Sequence, residues 1–152
     1  MKRRGFTLVE IMIVVAIIAL LAAIAIPNLL RARLQANESS AQAALKTIAT
    51  AGVTFRSANA AYSALPGLGS ANPAYIDATL GCGAEPCGKS GYNFQTTDIA
   101  GETFHARAVP VTANVTGVRS FCVTEDGVVR VQAAGGAIAD RAACIALNPT
   151  QP

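Results

Sequence analysis

The chain has 152 residues, 52% of them apolar but only 5% aromatic, with no tryptophan and a formal charge of +3. That length holds one ordinary domain, and its core must be built on Val, Ile, Leu and Ala rather than on large rings. The charge does not describe a polyanion-binding surface and no nucleic-acid partner is expected: Lys2, Arg3 and Arg4 carry the excess, because 12 basic residues less these three leave nine, against nine acidic ones.

Residues 1–5 are too short to fold. Their three cations read as a topology determinant held on the cytoplasmic side. Glu10 follows, then sixteen apolar residues, Ile11–Ile26, without a polar side chain. Phe6–Leu30 would span about 37 Å as a helix at ~1.5 Å per residue, enough for a bilayer core of about 30 Å. A carboxylate inside such a run costs roughly 2.5–3.5 kcal/mol at a helix centre, so Glu10 needs a reason. Thr7-x-x-Glu10 fits a capping box, and an acid in the first turn suits the helix dipole. A cleaved signal peptide ending near Ala23-Ile24-Ala25 is the alternative. Against it, Glu10 would enter the apolar region, and helix-forming sequence continues past the cut.

Pro27 removes a backbone donor and is expected to kink the helix rather than end it. Beyond it, residues 31–60 read as an amphipathic half. Ala41, Leu45, Ile48, Gly52 and Phe55 step by four and three along one stripe, while Lys46, Thr50, Thr54 and Arg56 fall outside it. Residues 61–91 are rich in Gly and Pro and read as a long irregular connection, anchored by Leu65, Leu68, Tyr75, Ile76 and Leu80.

Residues 92–152 carry strand patterns at Tyr92–Thr96, Phe104–Val109, Phe121–Thr124 and Val128–Val131. Asp126-Gly127 between the last two marks a hairpin. The period-2 faces place Tyr92, Phe94, Phe104, Ala106, Phe121, Val123, Val129 and Val131 inward. The expected fold is α+β: a long N-terminal helix, transmembrane then amphipathic, with a four-stranded antiparallel sheet packed on its C-terminal half. Gly135-Gly136 opens a loose tail with one short turn within Ile138–Leu147.

All four cysteines lie beyond the apolar run, in a compartment that favours disulfides. Four cysteines allow three pairings. The preferred ones are Cys82–Cys87, closing a small loop, and Cys122–Cys144, tying the tail to a strand. Zinc competes poorly, because neither pair has Cys-x-x-Cys spacing. No catalytic, cofactor-binding or metal-binding set is expected. His105, the only histidine, reads as a solvated or edge residue, and no nucleophile pattern accompanies it. Gly81–Gly91 has no strand–helix setting, so no phosphate loop is expected there. Asn37-Glu38-Ser39 and Asn114-Val115-Thr116 match Asn-x-Ser/Thr, a pattern common by chance, and neither is assigned a function. Glu125-Asp126 is accounted for as a turn.

Gly5-Phe6-Thr7-Leu8-Val9-Glu10, the apolar run and Ala25-Ile26-Pro27 resemble the N-terminus of the type IV pilin and type II secretion pseudopilin superfamily. The resemblance covers residues 1–34. It implies cleavage between Gly5 and Phe6 by a prepilin peptidase and N-methylation of Phe6. It implies storage in the inner-membrane bilayer, then polymerisation by an assembly platform and its ATPase into a helical homopolymer. There Glu10 would pair with the Phe6 amine of another copy. Localisation would pass from inner membrane to extracellular pilus or periplasmic pseudopilus. Cys122–Cys144 is similar to the disulfide that brackets the C-terminal region of many pilins. Many members carry glycine between Glu10 and Pro27, where this chain has Ala19. The function implied is a structural pilus subunit without catalytic activity. The alternatives are a type II secretion pseudopilin and, from another class, a secreted binding module released by signal peptidase.

Overall fold

A computed structural model describes residues 6–150. One helix, α1 (Leu8–Asn59), accounts for 52 of them. It changes character along its length because its sequence does. Two compact units divide the chain between Arg33 and Leu34.

The first unit is the apolar part of α1. Ile11–Ile26 stands exposed along almost its whole length, with large side chains such as Leu20 and Leu21 more than 60% accessible. A helix apolar on every side has no stable place in water and requires lipid or neighbouring helices. Pro27 lies inside α1, which runs through it without interruption.

The second unit holds the rest of α1, two short helices and the sheet. Ala41, Leu45, Ile48 and Gly52 are buried as their spacing requires, and Phe55 is half-buried. Opposite this stripe, Lys46, Thr50 and Thr54 face solvent. After α1 come α2 (Leu65–Ser70), β1 (Cys87–Lys89), β2 (Tyr92–Ala100), β3 (Thr103–Pro110), β4 (Ser120–Thr124), β5 (Val129–Gln132), α3 (Arg141–Ile145) and β6 (Asn148–Pro149). The strands form one antiparallel sheet in sequence order. The β2–β3 and β4–β5 reversals are short, whereas β3–β4 and β5–β6 are joined by longer connections. Gly101 and Gly127 stand in the β2–β3 and β4–β5 reversals at φ of +52° and +72°, a region open to glycine without steric cost.

The face of the sheet toward α1 carries Tyr92, Phe94, Phe104, Ala106, Ala108, Phe121 and Val123, all buried with Leu45 and Ile48 in one core. Each large apolar side chain so buried contributes about 1.5–3 kcal/mol relative to exposure.

The structure corrects four sequence-based expectations. The sheet has six strands rather than four. β1 and β6 are three- and two-residue edge pieces, too short for a periodic pattern to register. Residues 61–91 are not wholly irregular. α2 forms there, with Pro66 at its start, where the missing donor costs nothing, and buries Leu65 and Leu68. Gly69 and Gly81 allow this segment to fold on itself: a Cβ on Gly69 would stand 2.5 Å from the Gly81 Cα. Val131 is only half-buried, because the pattern continues past the edge of the core.

The fourth correction concerns His105. It is not at a solvated edge but fully buried. The sheet face away from α1 is covered by the tail. Cys144 of α3 is bonded to Cys122 of β4, and together with Ile138 and Leu147 they form a second, smaller core. Because both faces are covered here, every residue of β4 is buried. His105 pairs in register with Thr124 on one side and Thr97 on the other.

Candidate functional site

The first candidate lies at the start of α1. Thr7 and Glu10 close a reciprocal capping box. The Thr7 amide donates to Glu10 Oε2 at 2.8 Å, the Thr7 hydroxyl donates to the same oxygen at 2.8 Å, and the Glu10 amide donates to Thr7 Oγ1 at 3.2 Å. Two amides that the first helical turn would leave unpaired are thereby satisfied. Both bonds to the carboxylate fall on Oε2. Oε1 has no partner among the described residues, and Glu10 is exposed. The box thus holds the carboxylate in a fixed orientation while leaving one oxygen open to a second donor. Phe6, 85% accessible, precedes it. Gly5, and with it the expected cleavage point between Gly5 and Phe6, lies outside the described residues.

Pro27 is placed at the far end of the apolar run, away from this group. The structure does not bring Pro27 together with Glu10 and Phe6. The cysteines act elsewhere: Cys82 is bonded to Cys87 and Cys122 to Cys144, and no cysteine is free. Cys82–Cys87 joins the connecting segment to β1.

His105 stands beside the second bridge, with its ligand atom and both sulfurs within 4.8 Å of one another. The sulfurs are spent on each other, so they offer no thiolate to a metal. The imidazole Nδ1 lies 2.7 Å from the Thr97 hydroxyl, and Nε2 is buried without a partner. Burial lowers the His105 pKa below the ordinary value. Asp98 and Asp140 push it up, and Arg107 pushes it down. The neutral ring is the form that fits this site.

Sequence reasoning missed one constellation entirely. Glu38 is buried on α1 and accepts four hydrogen bonds from one short stretch. The amides of Val118 and Arg119 donate to Oε1 at 3.0 and 3.1 Å, and the Arg119 guanidinium donates to Oε2 at 2.8 and 2.6 Å. The desolvation cost of a buried carboxylate is offset by this complete set of charge-assisted bonds. A clue was present, since Glu38 stands three residues before Ala41 and seven before Leu45, on the apolar stripe itself. Nearby, Asn37 donates to the Thr116 carbonyl at 2.9 Å, and Tyr92 donates to the Arg119 carbonyl at 2.8 Å. The β3–β4 connection is thus tied to α1 and to the sheet. Glu85 has a similar role under α2, accepting from the Leu65 and Thr96 amides at 3.0 and 2.7 Å and from the Thr96 hydroxyl. Glu125 pairs with Arg141, and Asp126 with Arg130 at 2.5 Å. The Glu125-Asp126 turn is therefore also a pair of anchors for the tail and β5. Glu125 and Asp126 border an open groove beside Lys46 and Thr50, but both carboxylates are held in ion pairs with Arg141 and Arg130.

Residues 1–26 match the family model described as the prokaryotic N-terminal methylation motif. The type IV major pilin protein PilA of Myxococcus xanthus is 50% identical over 62 residues, which are 41% of this chain and 28% of the relative. The type IV wide pilus major component PilA4 of Thermus thermophilus is 64% identical over 36 residues, 24% of this chain and 28% of the relative. The chain thus spans about 28% of the length of these curated relatives. No solved structure matches it. The methylation motif, the long apolar helix, the antiparallel sheet and these relatives together support the type IV pilin superfamily for this chain.

Proposed function

We propose that the chain is a structural subunit that polymerises with copies of itself into a type IV pilus. The single observation that carries this reading is the Glu10 carboxylate, held by Thr7 on one oxygen and open on the other at the head of an uncovered apolar helix. A prepilin peptidase cuts between Gly5 and Phe6 and leaves a methylated amine on Phe6. The mature helix waits in the inner membrane. An assembly platform and its ATPase then move it into the filament, where neighbouring apolar helices replace lipid around Ile11–Ile26. The Phe6 amine of one copy donates to Glu10 Oε1 of the next. Pairing offsets the cost of a carboxylate in apolar surroundings and fixes the stagger between copies. Pro27 supplies a point at which the packed helix bends. The chain itself performs no catalysis.

Two measurements on the chain expressed in a pilus-bearing host test this reading. Mass spectrometry should find a mature protein beginning at N-methyl-Phe6, and electron microscopy should find that protein in filaments sheared from the cell surface. A mature start at Ile26 would overturn it in favour of a secreted module.

A further inference from the structure

The charges along the chain are unequally provided for. In the second unit, Arg56, Lys89, Arg119, Arg130 and Arg141 each pair with an acid, and the exposed Lys46 is the exception among the described residues. Arg107 donates to the Ile138 carbonyl and to Gln95. In the first unit, Arg31 and Arg33 are exposed, and no protein group pairs with either among the described residues. Neither is a core residue nor a helix cap. Both stand on α1 just beyond the end of the apolar run.

Their positions match a defined depth. Arg31 lies five residues past Ile26 and Arg33 seven, about 8 and 10 Å along the axis at ~1.5 Å per residue. The polar layer outside each face of the hydrocarbon core is about 5–8 Å thick. An arginine stem reaches back along the helix while its head stays in the polar layer. Leu29, Leu30 and Leu34 flank the two cations and cover the boundary with apolar surface. Two residues apart on a helix, the guanidiniums point about 200° from each other, so the pair engages headgroups on opposite flanks. Guanidinium is also the side chain whose planar fork matches phosphate.

We infer that Arg31 and Arg33 form an anionic-lipid site, binding phosphate groups of the far leaflet while the subunit is stored in the membrane. This rests on the membrane-stored state proposed above. Removal of residues 1–5 sharpens the role. Lys2, Arg3 and Arg4 are the only other side-chain cations flanking the apolar run. Once they are gone, Arg31 and Arg33 fix the depth of the mature helix, and extraction must break their phosphate contacts.

The test uses the full chain reconstituted into phosphatidylcholine vesicles carrying trace spin-labelled phosphatidylglycerol or phosphatidylcholine. Electron spin resonance reads how strongly each lipid associates with the protein. In a Lys2→Gln/Arg3→Gln/Arg4→Gln background, phosphatidylglycerol should be preferred about fivefold, the scale of one cation near an anionic surface. Adding Arg31→Gln and Arg33→Gln should bring the ratio to about one, as should molar salt, which shortens the screening length to about 3 Å. A ratio near one before the arginines are changed overturns the inference. So does a preference that survives their replacement. If Arg31→Gln/Arg33→Gln abolishes filaments while lipid preference is unchanged, carboxylates of neighbouring copies are the partners instead, and the lipid site is rejected. Absence of any protein-associated lipid signal overturns the membrane-stored state itself, and that result is separately visible.

Discussion

Glu38 on α1 and Arg119 at the entrance to β4 are 81 residues apart in sequence and joined by three hydrogen bonds to one carboxylate, two from the guanidinium and one from the backbone amide. A fourth, from the Val118 amide, completes the set. This contact fastens the long β3–β4 connection to the helix at the point where the second unit begins.

Replacing Glu38 with Gln keeps the shape but removes the charge. It leaves the Arg119 guanidinium and two amides with a weaker acceptor, and the cost should be about 2–3 kcal/mol. Thermal unfolding checks this. Burial pushes the Glu38 carboxyl up, but the Arg119 side chain and the Arg119 and Val118 amides pull it further down, so its folded pKa is below the ordinary 4.5. The unfolded chain therefore takes up the proton first as the pH falls. The stabilisation is fully present above about 4.5 and is lost as the pH falls through the folded pKa. Glu38→Gln should flatten this part of the acid-unfolding curve.

His105 acts in a separate window. Its folded pKa is depressed from 6.5, with burial the largest cause. Between the two values the unfolded chain holds a proton that the folded chain refuses, so stability declines as the pH falls below about 6.5 toward the folded pKa. Denaturant unfolding measured across pH 5–7.5 should show this slope. In His105→Gln the slope should disappear, whatever the change in absolute stability.

Removing the Cys122–Cys144 bridge frees the tail. The bridged cysteines are 22 positions apart, and the loop-closure account assigns such a bridge about 3 kcal/mol. Cys122→Ser/Cys144→Ser should lose about that much and expose Ile138. Limited proteolysis should then cut between β5 and β6 in the variant but not in the parent. The shorter Cys82–Cys87 loop, with a separation of five, should contribute less, about 2 kcal/mol.

Glu10→Ala should leave the second unit intact, since the group it removes lies wholly in the first. Membrane insertion and cleavage after Gly5 should continue, while filament yield drops sharply. Quantifying sheared filaments against the membrane-held pool by immunoblot separates the two effects. Normal filament yield from this variant would refute the pairing role of Glu10.

The sequence by itself determined what depends on neighbours in the chain. The apolar run, the Thr7–Glu10 capping box, the stripe from Ala41 to Gly52 and the Asp126-Gly127 hairpin all follow from periods of a few residues, and backbone geometry enforces those periods locally. The tertiary structure alone decided what depends on distant segments meeting. His105 is buried because α3 is drawn over β4, and no local pattern specifies that cover. Glu38 is tolerated on an apolar stripe only because Val118 and Arg119 arrive there. The edge strands β1 and β6 exist because a sheet edge supplies hydrogen bonds to whatever chain lies beside it, not because three residues or two have a preference of their own.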